Sequence, residues 1–86
     1  MAAIDPDARA VIDDSWPHLE DSWRETITSE CTSGEEHWAA EHALQGSLLS
    51  GHIPSNGALE AAKRIADDIG GPYQARIYHW LDKLDI

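Results

Sequence analysis

The sequence predicts an all-α protein, a compact bundle of four to five short helices, and three observations lead to this prediction. Apolar residues recur at three- and four-residue intervals through most of the 86 residues, which is the spacing of a helix face. Proline and glycine fall where helices would begin or end, and no segment alternates apolar and polar residues as a strand does. The length and the apolar content of 42% fit a single domain.

Turn residues place the first two helices. Asp5-Pro6 predicts an N-cap followed by the first turn of a helix that ends near Ser15. Pro17 is expected to open a second helix, because proline cannot continue the first one but fits the start of the next. The apolar stripe of this second helix has four-residue spacing and consists of Leu19, Trp23, Ile27 and Cys31.

The remaining helices follow from the same signals. Ser33 is expected to cap a third helix, and residues 51–57 have the composition of a loop. Residues 59–69 carry apolar side chains at clean helical spacing and predict a fourth helix. Gly70-Gly71 supplies its stop, and Pro72 is expected to open the last helix.

The charge is distributed unevenly along the chain. Twelve carboxylates and only two bases lie between Met1 and Glu60, whereas residues 61–86 contain four acids and four bases. The whole formal charge of −10 therefore belongs to the first part of the chain. A field of this sign repels nucleic acids and anionic membranes and attracts basic partners. We divide the single domain accordingly into strongly acidic helices, 1–60, and a charge-neutral pair, 61–86.

Part of this acidity has an ordinary structural explanation. Several acids fall near the starts of predicted helices, where the helix dipole favours them by about 0.3–1 kcal/mol each. Others stand four residues from a base, as in Arg9–Asp13 and Glu20–Arg24, and are expected to form surface pairs. Proteins of high-salt organisms are also acidic. A small structural subunit with an environmentally acidic surface is therefore one alternative.

Some acids lack such an explanation. Asp14, Glu25, Glu30 and Glu41 have no Lys or Arg at helical spacing. Asp21 and Glu25 form a like-charge i,i+4 pair, which costs about 0.2–0.5 kcal/mol. A surface that tolerates this repulsion is more easily understood if it binds something basic.

We therefore expect a non-catalytic protein whose acidic helical surface binds a basic protein partner, such as a nucleic-acid enzyme that it inhibits. Such a surface imitates the phosphates of DNA and gains affinity from counterion release. In composition, though in no motif, the chain resembles phage-encoded inhibitors of restriction and CRISPR systems and the immunity proteins of nuclease toxins. The expected contact residues are Asp13, Asp14, Asp21, Glu25, Glu30, Glu35, Glu36, Glu41 and, as an apolar anchor, Trp38.

The segment 61–84 resembles a helix-turn-helix motif. Ala66 and Gly70 stand four apart, as do that motif's small first-helix residue and turn glycine, and residues 75–81 resemble its recognition helix. The resemblance implies a second alternative, a dimeric transcription regulator. In it, the major groove would be faced by Tyr73, Gln74, Arg76, His79 and Lys83. Because the chain lacks the basic footprint of a DNA-binding protein, we expect direct nucleic-acid binding less than protein binding.

The sequence offers little for catalysis, metals or cofactors. Cys31 is the only cysteine, which excludes an intramolecular disulfide and a cysteine-based zinc site. His37, Glu41 and His42 are metal-ligand types without a recognised spacing, and no P-loop, dinucleotide or nucleophile-elbow motif is present. We expect no enzyme activity, no metal and no cofactor.

Location and assembly are the last expectations. Residues 1–7 lack the basic and apolar regions of a signal peptide, and no stretch is long enough to span a membrane. These features predict a cytoplasmic protein without a membrane partner. A dimer and a monomer are both compatible with the sequence.

Overall fold

The computed structural model describes residues 5–84, and these form five helices without a strand. One 3-10 turn, Trp16–His18, lies between the first two helices. This architecture confirms the predicted all-α bundle. The helices are α1 (Pro6–Ser15), α2 (Asp21–Thr32), α3 (Glu36–Leu49), α4 (Asn56–Ile69) and α5 (Gly71–Lys83).

Two helix starts use side-chain caps. The Asp5 carboxylate accepts the Ala8 N–H at 2.9 Å and begins α1, as the Asp5-Pro6 signal predicts. The Ser55 hydroxyl accepts the Ala58 N–H at 3.2 Å and begins α4 at Asn56. The loop predicted over 51–57 is therefore shorter than expected, since its last residues already belong to α4.

Two other predicted helix starts are wrong. Pro17 lies in the 3-10 turn, whose φ values resemble those of an α-helix and therefore suit proline. Glu20 is extended, and α2 begins only after it. Ser33 ends α2 instead of capping α3, because its N–H donates to the Ser29 carbonyl at 3.0 Å. The third helix begins after Glu35, whose side chain makes no cap hydrogen bond.

The core is built from small side chains. Helix α1 packs on α3 and α4, α2 packs on α3, and α5 packs on α4 and α3. Among residues 5–84, alanine supplies eight of the seventeen buried hydrophobic residues, so the helices can approach one another closely. All four tryptophans are only half-buried and pack against the edge of this core. The bundle thus leaves part of its larger apolar side chains at the surface.

Helix α2 is the least buried of the long helices. Ile27 is its one fully buried residue, whereas α4 buries six. It rests on α3 at Gly46, where a Cβ atom would lie 2.8 Å from Leu19 Cδ2 and 2.9 Å from Trp23 Cδ2. This close approach fixes one face of α2 against α3 and leaves the other face to solvent.

Candidate partner-binding surface

The outer face of α2 presents three exposed carboxylates near its N-terminus, those of Glu20, Asp21 and Glu25, which together we call the α2 acidic face. The Asp21 side chain is 95% exposed. Glu25 makes no hydrogen bond or ion pair with another residue in the described range 5–84. Hydroxyls further along α2 point back to the backbone, as in Thr28 Oγ1, which donates to the Arg24 carbonyl at 2.8 Å. The polar groups of this face that remain available to solvent are therefore its carboxylates.

Arg24 is the base on α2, and its guanidinium is directed mainly at the chain before the helix. Its Nε and Nη2 donate to the Trp16 carbonyl at 3.1 and 2.9 Å, and its Cζ lies 5.4 Å from the centre of the Trp16 ring. Nη1 is 3.8 Å from Asp21. The Glu20–Arg24 pair expected from the sequence is not among these contacts. Sequence reasoning left Glu20 out of the candidate surface because it assigned that residue to this pair.

Two of the predicted contact residues are engaged with histidines instead. Asp14 Oδ2 lies 3.1 Å from His52 Nε2 and accepts the Ser55 N–H at 3.2 Å, which ties α1 to the loop before α4. Burial raises the pKa of Asp14, but these hydrogen bonds outweigh it and hold the pKa below its usual value. Glu30 meets His42 Nδ1 at 2.8 Å, which ties α2 to α3. Both carboxylates contribute to the fold.

Glu41 does not lie on the surface, contrary to the prediction. Its side chain is completely buried, and its Oε1 accepts from Arg76 Nη2 at 3.0 Å and from Trp80 Nε1 at 2.9 Å. Its Oε2 has no hydrogen-bond partner among the described residues, although His42 Nε2 is 3.6 Å away. A buried carboxylate needs a counter-charge and donors, and α5 supplies them from across the bundle. Glu41 joins α3 to α5 and is not available to a partner.

The other predicted contacts divide between surface and structure. Asp13 is exposed and pairs with Arg9 at 3.3 Å, as expected from its i,i+4 spacing, and Glu35 is exposed after the end of α2. Glu36 accepts the Asp5 N–H at 2.8 Å. Trp38 is half-buried, with its ring edge-on to Tyr73 at 5.4 Å between centres. Its position fits a packing role beside α5 better than that of an exposed anchor.

The helix-turn-helix alternative uses side chains that the fold has largely engaged. Tyr73 is 4% exposed and donates to the His37 carbonyl at 2.6 Å. Gln74 donates to Asp67 at 3.0 Å, and Arg76 is held by Glu41. Only His79 and Lys83 of the five expected residues are exposed without such contacts among the residues described. Two side chains make a small major-groove reading surface.

Reactive groups are sparse in the part of the chain that the structure covers. Burial, with Glu36 and Glu30 nearby, raises the pKa of the Cys31 thiol, so the sulfur is a thiol at neutral pH. Residues 5–84 bring together no group of three His, Cys, Asp or Glu side chains suited to a metal ion. Within the same range, no helix has the length and apolar character needed to cross a bilayer.

Searches of protein-family models, curated proteins and solved structures find no match to this chain.

Proposed function

We propose that this chain is a non-catalytic binding protein whose acidic helical surface binds, and thereby inhibits, a basic protein partner. A nucleic-acid enzyme with a cationic groove is the partner that this chemistry fits best, because a rigid array of carboxylates competes for the site of the phosphates. The proposed contact residues are the α2 acidic face, Glu20, Asp21 and Glu25, together with Asp13 and Glu35, the other predicted contact acids that stay exposed.

The exposed, adjacent Asp21 and Glu25 carry the proposal. They stand at i,i+4 with like charge, a placement that weakens an isolated helix. Nearby acids of the same chain have acquired partners in the fold, as Asp14, Glu30 and Glu41 have. Asp21 is 95% exposed with Arg24 Nη1 at 3.8 Å, and Glu25 is unpaired within the described residues, so a partner that supplies positive charge best explains this exposed like-charge pair.

The test is a pull-down from host lysate with the protein immobilised and eluted in steps of rising salt. We expect a basic nucleic-acid enzyme to elute at intermediate salt and to be displaced by duplex DNA, because both compete through electrostatic contacts. The variant Asp21→Lys/Glu25→Lys should bind it more than tenfold more weakly.

The matched control is Glu60→Lys/Asp82→Lys, which makes the same charge change at two exposed positions on α4 and α5. It should lose much less affinity, because the effect is expected to be local to α2. Equal losses in both variants would mean that net charge alone attracts the partner, and full retention by the α2 variant would exclude this face. DNA on the beads without a dominant protein would support the helix-turn-helix alternative.

A further inference from the structure

A second surface, of opposite character, lies where the end of α3 and the following loop meet the last turns of α5. A groove of about 390 Å³ opens there. Most of its lining residues are apolar, and no carboxylate of the described residues lines it. We call it the α3–α5 groove; its main lining residues are Leu48, Leu49, His52, Ile53, Trp80 and Leu84.

Two of the most exposed large apolar side chains among the described residues stand at this groove. Leu49 is 68% exposed and Ile53 is 71% exposed, and they lie four residues apart in sequence. The half-buried Trp80 of α5 and Leu84, which directly follows α5, line the groove together with Lys83. Scattered apolar residues on a surface need no explanation, but a contiguous patch of this kind is typical of an interaction site.

Charge limits what can cover the groove. A protein carrying −10 repels a second copy of itself wherever carboxylates face each other. This repulsion is reduced at the α3–α5 groove, because no carboxylate of the described residues lines it and Asp14, 3.1 Å from the lining residue His52, is paired with that histidine. The one fully charged lining residue, Lys83, forms no ion pair within the described range. A strongly basic partner, by contrast, is attracted by the acidic α2 face and not by this groove.

The shape of the groove also favours a second copy of this chain as its occupant. A two-fold symmetric interface brings one patch against itself, so the patch must contain both a projection and a hollow. Leu49 and Ile53 are the highly exposed large apolar residues among those that line the groove, and the groove is the hollow between the end of α3 and the end of α5. We propose that the α3–α5 groove is the interface of a homodimer, in which Leu49 and Ile53 of each copy enter the groove of the other.

The small alanine-rich core is a physical reason to expect a dimer. Domains of this size bury a limited fraction of their surface, and association is one way to bury more. No residue of the α2 acidic face lines the groove, so the two contacts use different residues. Two such faces in one particle bind a repeated or elongated basic surface more tightly than one face does, since the second contact is intramolecular.

Sedimentation equilibrium from micromolar to near-millimolar concentration tests the dimer. We expect the wild-type chain to dimerise and the variant Leu49→Glu/Ile53→Glu to be monomeric, because it places carboxylates against each other across the interface. The matched control is Ile69→Glu, at a 47% exposed apolar residue that does not line the groove, and this variant should dimerise normally. Circular dichroism verifies that all three proteins are folded.

Salt separates this association from binding at the α2 acidic face. Screening removes the repulsion between two acidic copies, so the dimer should tighten as salt rises, whereas the binding of a basic partner should weaken. A wild-type chain that stays monomeric at every salt and concentration would overturn the proposal. So would equal dissociation of the Ile69→Glu and Leu49→Glu/Ile53→Glu variants. Neither outcome depends on whether a basic partner is found.

Discussion

The outer face of α2 and the contact between α3 and α5 both carry glutamates that the sequence predicts to be contact residues, yet they use them in opposite ways. Glu25 on α2 is exposed and unpaired within the described residues. Glu41 on α3 is completely buried and is held by Arg76 and Trp80. An acidic composition therefore does not by itself define a binding surface, because packing decides which carboxylates a partner can reach.

The largest effect should come from Arg76→Ala, which removes the counter-charge of the buried Glu41. Breaking a buried ion pair costs about 3–5 kcal/mol, and because Arg76 is half exposed we expect a loss near the lower end, about 3 kcal/mol. Urea unfolding followed by circular dichroism measures it. Arg9→Ala, at a pair in which both side chains are 60% exposed, is the control and should lose less than about 1 kcal/mol.

A second variant shows whether the buried charge is the cause. Glu41→Gln/Arg76→Ala removes the carboxylate's charge along with the guanidinium, so it should be more stable than Arg76→Ala alone. If the double variant is the less stable of the two, lost packing by the Arg76 side chain explains the first result.

Gly46→Ala should weaken the packing of α2 on α3 and leave the α3–α5 contact unchanged. A methyl group there would lie too close to Leu19 and to the Trp23 ring, and overpacking of this kind costs about 1–3 kcal/mol. The loss should appear although alanine favours a helix by about 1 kcal/mol over glycine. Gly57→Ala on α4 meets only Ser55 Oγ at 4.0 Å, and thermal unfolding should show it to be as stable as the wild type or more so. A stable Gly46→Ala would mean that α2 is not packed closely on α3.

The sequence predicts the fold better than the surface, and the reason is the range of the interactions. Helix periodicity and end signals are local, so five helices follow from them. Charge pairs within one helix are equally local, as Arg9–Asp13 shows. Asp14–His52 and Glu41–Arg76 join positions 38 and 35 residues apart, and no spacing rule reveals them. The candidate surface therefore included acids that the fold uses internally and omitted Glu20.

Tyr73→Phe tests the same α3–α5 contact through a neutral hydrogen bond. Losing the bond to the His37 carbonyl should cost about 0.5–1.5 kcal/mol in urea unfolding at neutral pH. Burial, with Glu41 and Asp5 nearby, raises the pKa of Tyr73 far above its usual value. Because the pKa of Tyr73 is higher in the folded chain than in the unfolded chain, the protonated phenol stabilises the fold fully below the unfolded-chain pKa, about 10. This stabilisation is lost as pH rises toward the folded-chain pKa.

Wild-type stability should therefore fall more steeply than that of Tyr73→Phe above about pH 10. The hydrogen bond to Asp67 also raises the pKa of Tyr78, which is common to both proteins and cancels in the comparison. Parallel stability profiles in alkaline solution would contradict the burial of the Tyr73 phenol.

The smallest effect on stability should come from Glu25→Gln on the α2 acidic face. Removing this charge relieves the repulsion from Asp21, so the free energy of unfolding should rise by about 0.2–0.5 kcal/mol or stay unchanged. Glu30→Gln is the matched control on the same helix, and it should be destabilised because its carboxylate meets His42 at 2.8 Å. Added salt screens the repulsion between Glu25 and Asp21, so it should remove the increase in the free energy of unfolding that Glu25→Gln gives. If Glu25→Gln is instead the less stable of the two, Glu25 stabilises the fold as Glu41 does. The two regions would then use their glutamates in the same way, and Glu25 would no longer support the binding proposal.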